Sequence, residues 1–180
     1  MPLTDNKKYT ADEFFELIGE TNQSYELMNG EVVAQAAPSI LHQRISKRVT
    51  AKLDAFILSK GGKCEVFSAP TDVQIDENNV VQPDIFIGCD PDKFDEHKFN
   101  GAPDFVIEIV SSNRSDDFTK KLELYKNCGV REYWIIDPEN ERTVVYQFGE
   151  KLSVNIYTFD KPVPVGIYGG EVTVTVSELI

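Results

Sequence analysis

Cysteine is scarce, histidine scarcer, and no long apolar run occurs in the 180 residues of this chain. Cys64, Cys89 and Cys128 lie far apart without any CxxC spacing, which argues against a zinc knuckle or a disulfide framework and predicts reduced thiols. With only His42 and His97 besides, a tetrahedral zinc site is poorly supplied. No apolar stretch reaches the ~18 residues of a membrane span, and the opening MPLTDNKKYTADEFF has no signal-peptide core. The expectation is a soluble, cytoplasmic protein with no membrane partner. Walker A, GxGxxG and GxSxG patterns are missing too, so nothing points to a nucleotide fold or a serine hydrolase.

Basic charge is also short: 18 Lys and Arg stand against 30 Asp and Glu, a net charge of −12. Phosphate binding usually leaves a basic footprint, so the total weighs against nucleic acid. The distribution is uneven, however. Residues 1–60 carry 7 basic and 8 acidic side chains, against 7 and 14 in 61–130 and 4 and 8 in 131–180.

What is present reads as one α/β domain over residues 1–180, an ordinary size for a single hydrophobic core. Thr10, with Asp12 and Glu13 behind it, caps a short helix that stops by Gly19. Two short strands follow about Asn29-Gly30, with Glu26 and Glu31 on either side of the turn. Pro38-Ser39 introduces a helix from about Ile40 to Ser59, closed by Gly61-Gly62. Its apolar face carries Ile45, Val49, Leu53 and Phe56, with His42 in the first turn. Arg44, Lys47, Arg48 and Lys52 gather on the other side, either as a solvated face or as a phosphate-facing surface. Cys64–Ser68 and Thr71–Asp76 read as paired strands, Val80–Ile87 as another, and Phe105–Val110 as a strand buried on both faces. Ser115 reads as the N-cap of a helix ending near Cys128-Gly129. Strands at Glu132–Ile136, Thr143–Phe148, Leu152–Thr158 and Glu171–Val176 complete a β-rich C-terminal part. Sheet edges there would need cover, which makes a homodimer the expected assembly.

The chemical anomaly is Glu108, a carboxylate inside the apolar run FVIEIV. Burial of that charge requires an ion-pair partner, a metal, or a position at the strand end. Asp84 follows Pro83 in another apolar strand, and the two together would offer hard oxygen ligands suited to Mg²⁺ or Mn²⁺. The helix after Glu108 carries two adjacent lysines, and periodicity separates them. Lys121 lies about 60° from the centre of the Phe118–Leu122–Tyr125 stripe and Lys120 about 160° away. Asp117, four residues before Lys121, shares its flank and could orient its ammonium.

Pro83-Asp84, Glu108 and Lys121 in this order resemble the PD-(D/E)XK nuclease superfamily. YELMNGE at 25–31, Pro38 with His42, VQPDIFI at 81–87, FVIEIVS at 105–111 and KLELYKNCGVREYWIIDP at 121–138 resemble, within it, the Uma-two family of restriction endonucleases. The resemblance implies a restriction-endonuclease-like α+β fold, a central mixed β-sheet flanked by helices, with its core at about 10–148 and a β extension at 149–180. It also implies metal-dependent hydrolysis of phosphodiester bonds in nucleic acid, with DNA the expected partner. Asp84, Glu108 and the carbonyl of Ile109 would hold Mg²⁺ or Mn²⁺, and Lys121 would stabilise the attacking hydroxide or the phosphate. Glu26 and His42 would complete the outer shell or handle a proton, or serve only as hydrogen-bonded core residues. The superfamily's E-x-K pattern places lysine where Val110 stands here, and the resemblance implies that it has moved to Lys121. Two other functions are compatible with the acidity: a nuclease fold retained as an interaction module, and a hydrolase of small phosphodiesters.

Overall fold

The computed structural model describes residues 7–19, 23–110 and 115–180, without the side chains of 115–118. Helix α1 (Ala11–Ile18) opens with a capping box: the Glu13 N–H donates to Thr10 Oγ1 while the Thr10 N–H donates to the Glu13 carboxylate. Strands β1 (Tyr25–Met28) and β2 (Glu31–Ala34) pair as a hairpin through Asn29 and Gly30, whose φ of 50° and 79° suit the tight turn. Helix α2 (Ile40–Lys60) starts on Ser39, whose hydroxyl accepts from the His42 N–H, and ends on a left-handed Gly61.

Strands β3 (Glu65–Ser68), β4 (Asp72–Asp76), β5 (Asn79–Val81), β6 (Ile85–Gly88), β7 (Lys98–Asn100) and β8 (Phe105–Ile109) follow. Helix α3 (Ser115–Cys128) then crosses over to β9 (Glu132–Asp137), which runs parallel to β8. Strands β10 (Arg142–Phe148), β11 (Leu152–Thr158), β12 (Val163–Pro164) and β13 (Thr173–Val174) complete the order. The main sheet is β11-β10-β9-β8-β6-β3, and a second is β2-β1-β5-β4-β7.

Alternation along β8 explains its continuous apolar run. Phe105, Ile107 and Ile109 pack with Ile45, Val49, Leu53 and Ile57 of α2 and with the C-terminal valines. Val106 faces the other way, into a cluster with Tyr125 of α3, Tyr133, and Val73, Val81 and Phe99 of the second sheet. Glu108 shares that second face.

Several expectations need correction. The segments expected to pair at 64–68 and 71–76 belong to different sheets, β3 pairing with β6 and β4 with β5 and β7. Ala69-Pro70 between them supplies no positive φ for a two-residue hairpin. The strand expected at Val80–Ile87 is two strands in two sheets, broken at Gln82-Pro83-Asp84, because proline cannot donate to a ladder. Cys64 and Cys89 are joined in a disulfide, and only Cys128 is free. The register that pairs Glu65 with Gly88 makes these cysteines the next cross-strand neighbours, a proximity that sequence spacing does not reveal. The strand expected at Glu171–Val176 shrinks to Thr173–Val174, with a 3₁₀ turn at Val176–Leu179. Ser115 is the first residue of α3 rather than the one before it.

Candidate active site

Asp84 stands at the break before β6, and Ile85 is paired with Ile107, so Asp84 falls beside Glu108 near the end of β8. Its Oδ2 accepts the Ile109 N–H at 2.7 Å and lies 3.0 Å from Nε2 of His42. The first turn of α2 carries His42 inward, and its Nδ1 is buried with no hydrogen-bond partner among the described residues. A proton on Nε2, toward the carboxylate, leaves Nδ1 as a lone-pair acceptor.

Glu108 lies on the second face of β8, where α3 crosses. Lys121 Nζ donates to Glu108 Oε1 at 2.9 Å and to Glu26 Oε1 at 2.9 Å, and the Tyr125 hydroxyl donates to Glu108 Oε1 at 2.8 Å. Lys121 and Tyr125 are four residues apart on one helical face, which lets both reach the same carboxylate. Lys120 is exposed. Glu26 points inward from β1, where it also accepts the Gln82 N–H at 2.9 Å and the Gln35 side-chain amide.

The electrostatics follow from one ammonium serving two buried carboxylates. Burial pushes the Glu108 carboxyl up to about 7; Lys121 opposes this, and the charges of Asp84 and Glu26 add to it. Burial alone would lower the Lys121 pKa, but the two carboxylates outweigh it and hold the ammonium above its usual range. Desolvation also raises the Tyr125 hydroxyl, with Glu108 next to it adding to the effect, so Tyr125 remains a donor.

The donor set is hard oxygen. Among the described residues the hydrogen bonds to the Asp84 carboxylate fall on Oδ2 and those to the Glu108 carboxylate on Oε1, so each carboxylate has a second oxygen to offer a cation. No group of three His, Cys, Asp or Glu among the described residues is close enough to hold a metal unaided. Two carboxylates and a carbonyl fit an ion that keeps much of its water, as Mg²⁺ does, and do not fit zinc. A recess of about 80 Å³ opens beside Asp84, lined by Ser24, Gln35, His42, Ser46 and Gln82.

The residues 11–166 match the model of the Uma2 family, described as "Putative restriction endonuclease". The chain belongs to this family. Among its relatives is "Uncharacterized protein slr1290" of Synechocystis sp. (strain ATCC 27184 / PCC 6803 / Kazusa). That protein is 24% identical over 166 residues, covering 89% of this chain and 86% of its own length. A solved structure, "a putative nuclease belonging to DUF820" from Anabaena variabilis ATCC 29413, matches with a TM-score of 0.78. The match covers 94% of this chain and 96% of that one at 22% identity, which establishes the restriction-endonuclease-like fold.

In this Uma2 chain Asp84, Glu108, Lys121, Glu26 and His42 converge, whereas the side chain of Asp117 lies outside the described residues. The basic stripe divides. Arg44 and Lys47 are exposed, Lys52 is half-buried, and Arg48 Nη1 donates to the Leu179 carbonyl at 2.8 Å. Tyr125, Gln35 and Gln82 escaped the sequence reading as site residues. Tyr125 was legible only as an apolar-stripe residue, although its position one turn beyond Lys121 is a usable signal. Gln82 stood out as polar between Val81 and Pro83, and Gln35 carried no signal.

Proposed function

We propose that this chain is a divalent-metal-dependent endonuclease that hydrolyses phosphodiester bonds in nucleic acid, with DNA as its substrate. The observation that carries the reading is the buried Lys121 ammonium held against Glu108, next to Asp84 on the adjoining strand end. Asp84, Glu108 and the Ile109 carbonyl would hold Mg²⁺ or Mn²⁺. Such an ion lowers the pKa of bound water and neutralises charge on phosphoryl oxygens.

The chain's own residues supply the rest. His42 and the Ile109 N–H fix the Asp84 carboxylate through Oδ2. Glu26, clamped by Gln35 and the Gln82 N–H, would position Lys121 together with Glu108. An ammonium has three donors, of which Glu26 and Glu108 take two; the third would go to a phosphoryl oxygen in the transition state. His42, which lines the recess, would serve as the proton acceptor there.

The test is incubation of the purified chain with plasmid, single-stranded DNA, RNA and a chromogenic phosphodiester, each with Mn²⁺, Mg²⁺ or EDTA. The expected result is metal-dependent cleavage of DNA that Asp84→Asn abolishes. Cleavage insensitive to EDTA, or equal in the Asp84→Asn variant, would overturn the reading. Turnover of the chromogenic ester alone would instead favour the small-substrate hydrolase, which the net charge of −12 suits.

A further inference from the structure

Strand β11 ends the main sheet, pairing with β10 on one side and, among the described residues, with nothing on the other. Its seven residues, LSVNIYT, contain no charge and no proline, and their pairing with β10 runs without a bulge. Edge strands of monomers are usually shortened, charged, kinked or covered, because an open ladder of N–H and C=O groups recruits another strand. Among the described residues none of these devices is present, in a chain where 27% of residues are charged.

The exposed side chains follow the same logic. Leu152, Val154 and Ile156 project from one face and are 52%, 49% and 65% exposed. Cross-strand pairing sets them against Phe148, Tyr146 and Val144 of β10, and Tyr146 stacks on Tyr133 of β9. The apolar surface thus runs outward from the cluster beneath α3 and stops, uncovered, at the sheet edge.

We propose that a second copy of this chain covers this edge, β11 pairing antiparallel with β11 about a two-fold axis at Asn155. That register sets Val154 of each copy against Ile156 of the other and keeps both apolar triads on one face of a continuous sheet. The strand is self-complementary in this frame: aliphatic residues flank Asn155 on both sides, and Ser153 meets Tyr157. Charge does not oppose this occupant at the edge itself. Two copies of net charge −12 repel over most of their surfaces, and β11 is a seven-residue stretch on which they meet without opposed carboxylates. A seven-residue ladder with three aliphatic side chains per copy sits at the small end of specific interfaces, roughly 1,200 Å² in total. A dissociation constant on the order of 10 µM is expected.

Sedimentation equilibrium from about 1 to 300 µM tests this without reference to nuclease activity. The wild type should dimerise, and Ile156→Lys, at a position already solvent-exposed, should raise the dissociation constant by about 100-fold or more. Asn155→Cys supplies a second measurement. Directly opposed residues in an antiparallel pair have Cα atoms about 4.5–5.5 Å apart, within disulfide reach, so this variant should cross-link under mild oxidation while Ser153→Cys should not. A wild type monomeric throughout the range, a dimer unaffected by Ile156→Lys, or equal cross-linking at 153 and 155 would each overturn the proposal.

Discussion

Replacing Lys121 by methionine should cost far more stability than replacing Glu108 by glutamine, although each removes one member of the same ion pair. Lys121 is the only described cation bonded to Glu26 and Glu108, all three being almost fully buried. Without it two carboxylates remain desolvated with no counter-charge, a loss of about 3–5 kcal/mol. In a domain of this size that corresponds to a fall in Tm of roughly 6–20 °C. Glu108→Gln leaves Lys121 paired with Glu26 and keeps an amide oxygen to accept from Tyr125. Its effect depends on pH, with a definite sign. The Glu108 carboxyl is held at about 7 rather than 4.5, so the folded chain binds that proton more tightly than the unfolded chain does. The associated stability is fully present below pH 4.5 and is lost as pH rises through 7, to a limit of about 3 kcal/mol. Relative to wild type, Glu108→Gln should therefore gain stability between pH 5 and pH 8. Urea denaturation in EDTA at each pH, followed by the fluorescence of the sole, buried Trp134, measures both variants. A Lys121→Met protein as stable as wild type, or a Glu108→Gln difference unchanged from pH 5 to 8, would refute this account of the buried network.

Three further outcomes are expected. Lys121→Ala should lower turnover by roughly 10²–10³ with little change in substrate affinity, while Lys120→Ala, altering an exposed side chain, should be nearly silent; steady-state kinetics on both decides it. Asp84→Asn and Glu108→Gln should each weaken Mn²⁺ binding in titration calorimetry without loss of fold by circular dichroism, and unchanged affinity in both would remove the metal assignment. Neutralising Arg44, Lys47, Arg48 and Lys52 should flatten the salt dependence of DNA binding by about 0.9 in the log–log slope per lost phosphate contact. Because Arg48 is tied to the Leu179 carbonyl, its single substitution should change the slope least of the four.

The parts of this molecule that were readable from sequence are those where neighbouring residues determine their own geometry. Asn29-Gly30, Ser39 and Gly61 mark turn and helix ends through local φ preferences and caps, and all three stand where expected. Helical phase likewise separated a buried Lys121 from an exposed Lys120 by counting alone. Glu108 could be seen to need a partner, because a charge in FVIEI has no local remedy. Helical phase turned Lys121 toward that strand, and the two do meet, but how β8 lies among its neighbours required the sheet order. The same gap hid the Cys64–Cys89 bond, the split of Val80–Ile87 between two sheets, and the approach of Glu26 to Lys121. Strand pairing across long sequence separations carries little local signal, and the misassigned partner of β4 has the same origin. Tyr125 stands on the buried stripe as expected, but its hydroxyl went unseen for another reason: the ring fills the apolar stripe while the hydroxyl serves Glu108.

The ammonium at the centre of this network has a bearing on when, during its own synthesis, the chain can first balance its buried charges. Glu26 lies on the opening hairpin, and Lys121 follows it by 95 residues, on the crossover helix that also brings β9 alongside β8. A nascent chain that has produced Glu26 on β1 and Glu108 on β8 still lacks the helix that carries the cation. The cluster of Glu26, Glu108 and Lys121 therefore cannot assemble until most of the polypeptide has been made. The long-range salt bridge thus makes the buried charge network a late product of folding, although its first carboxylate stands on the opening hairpin.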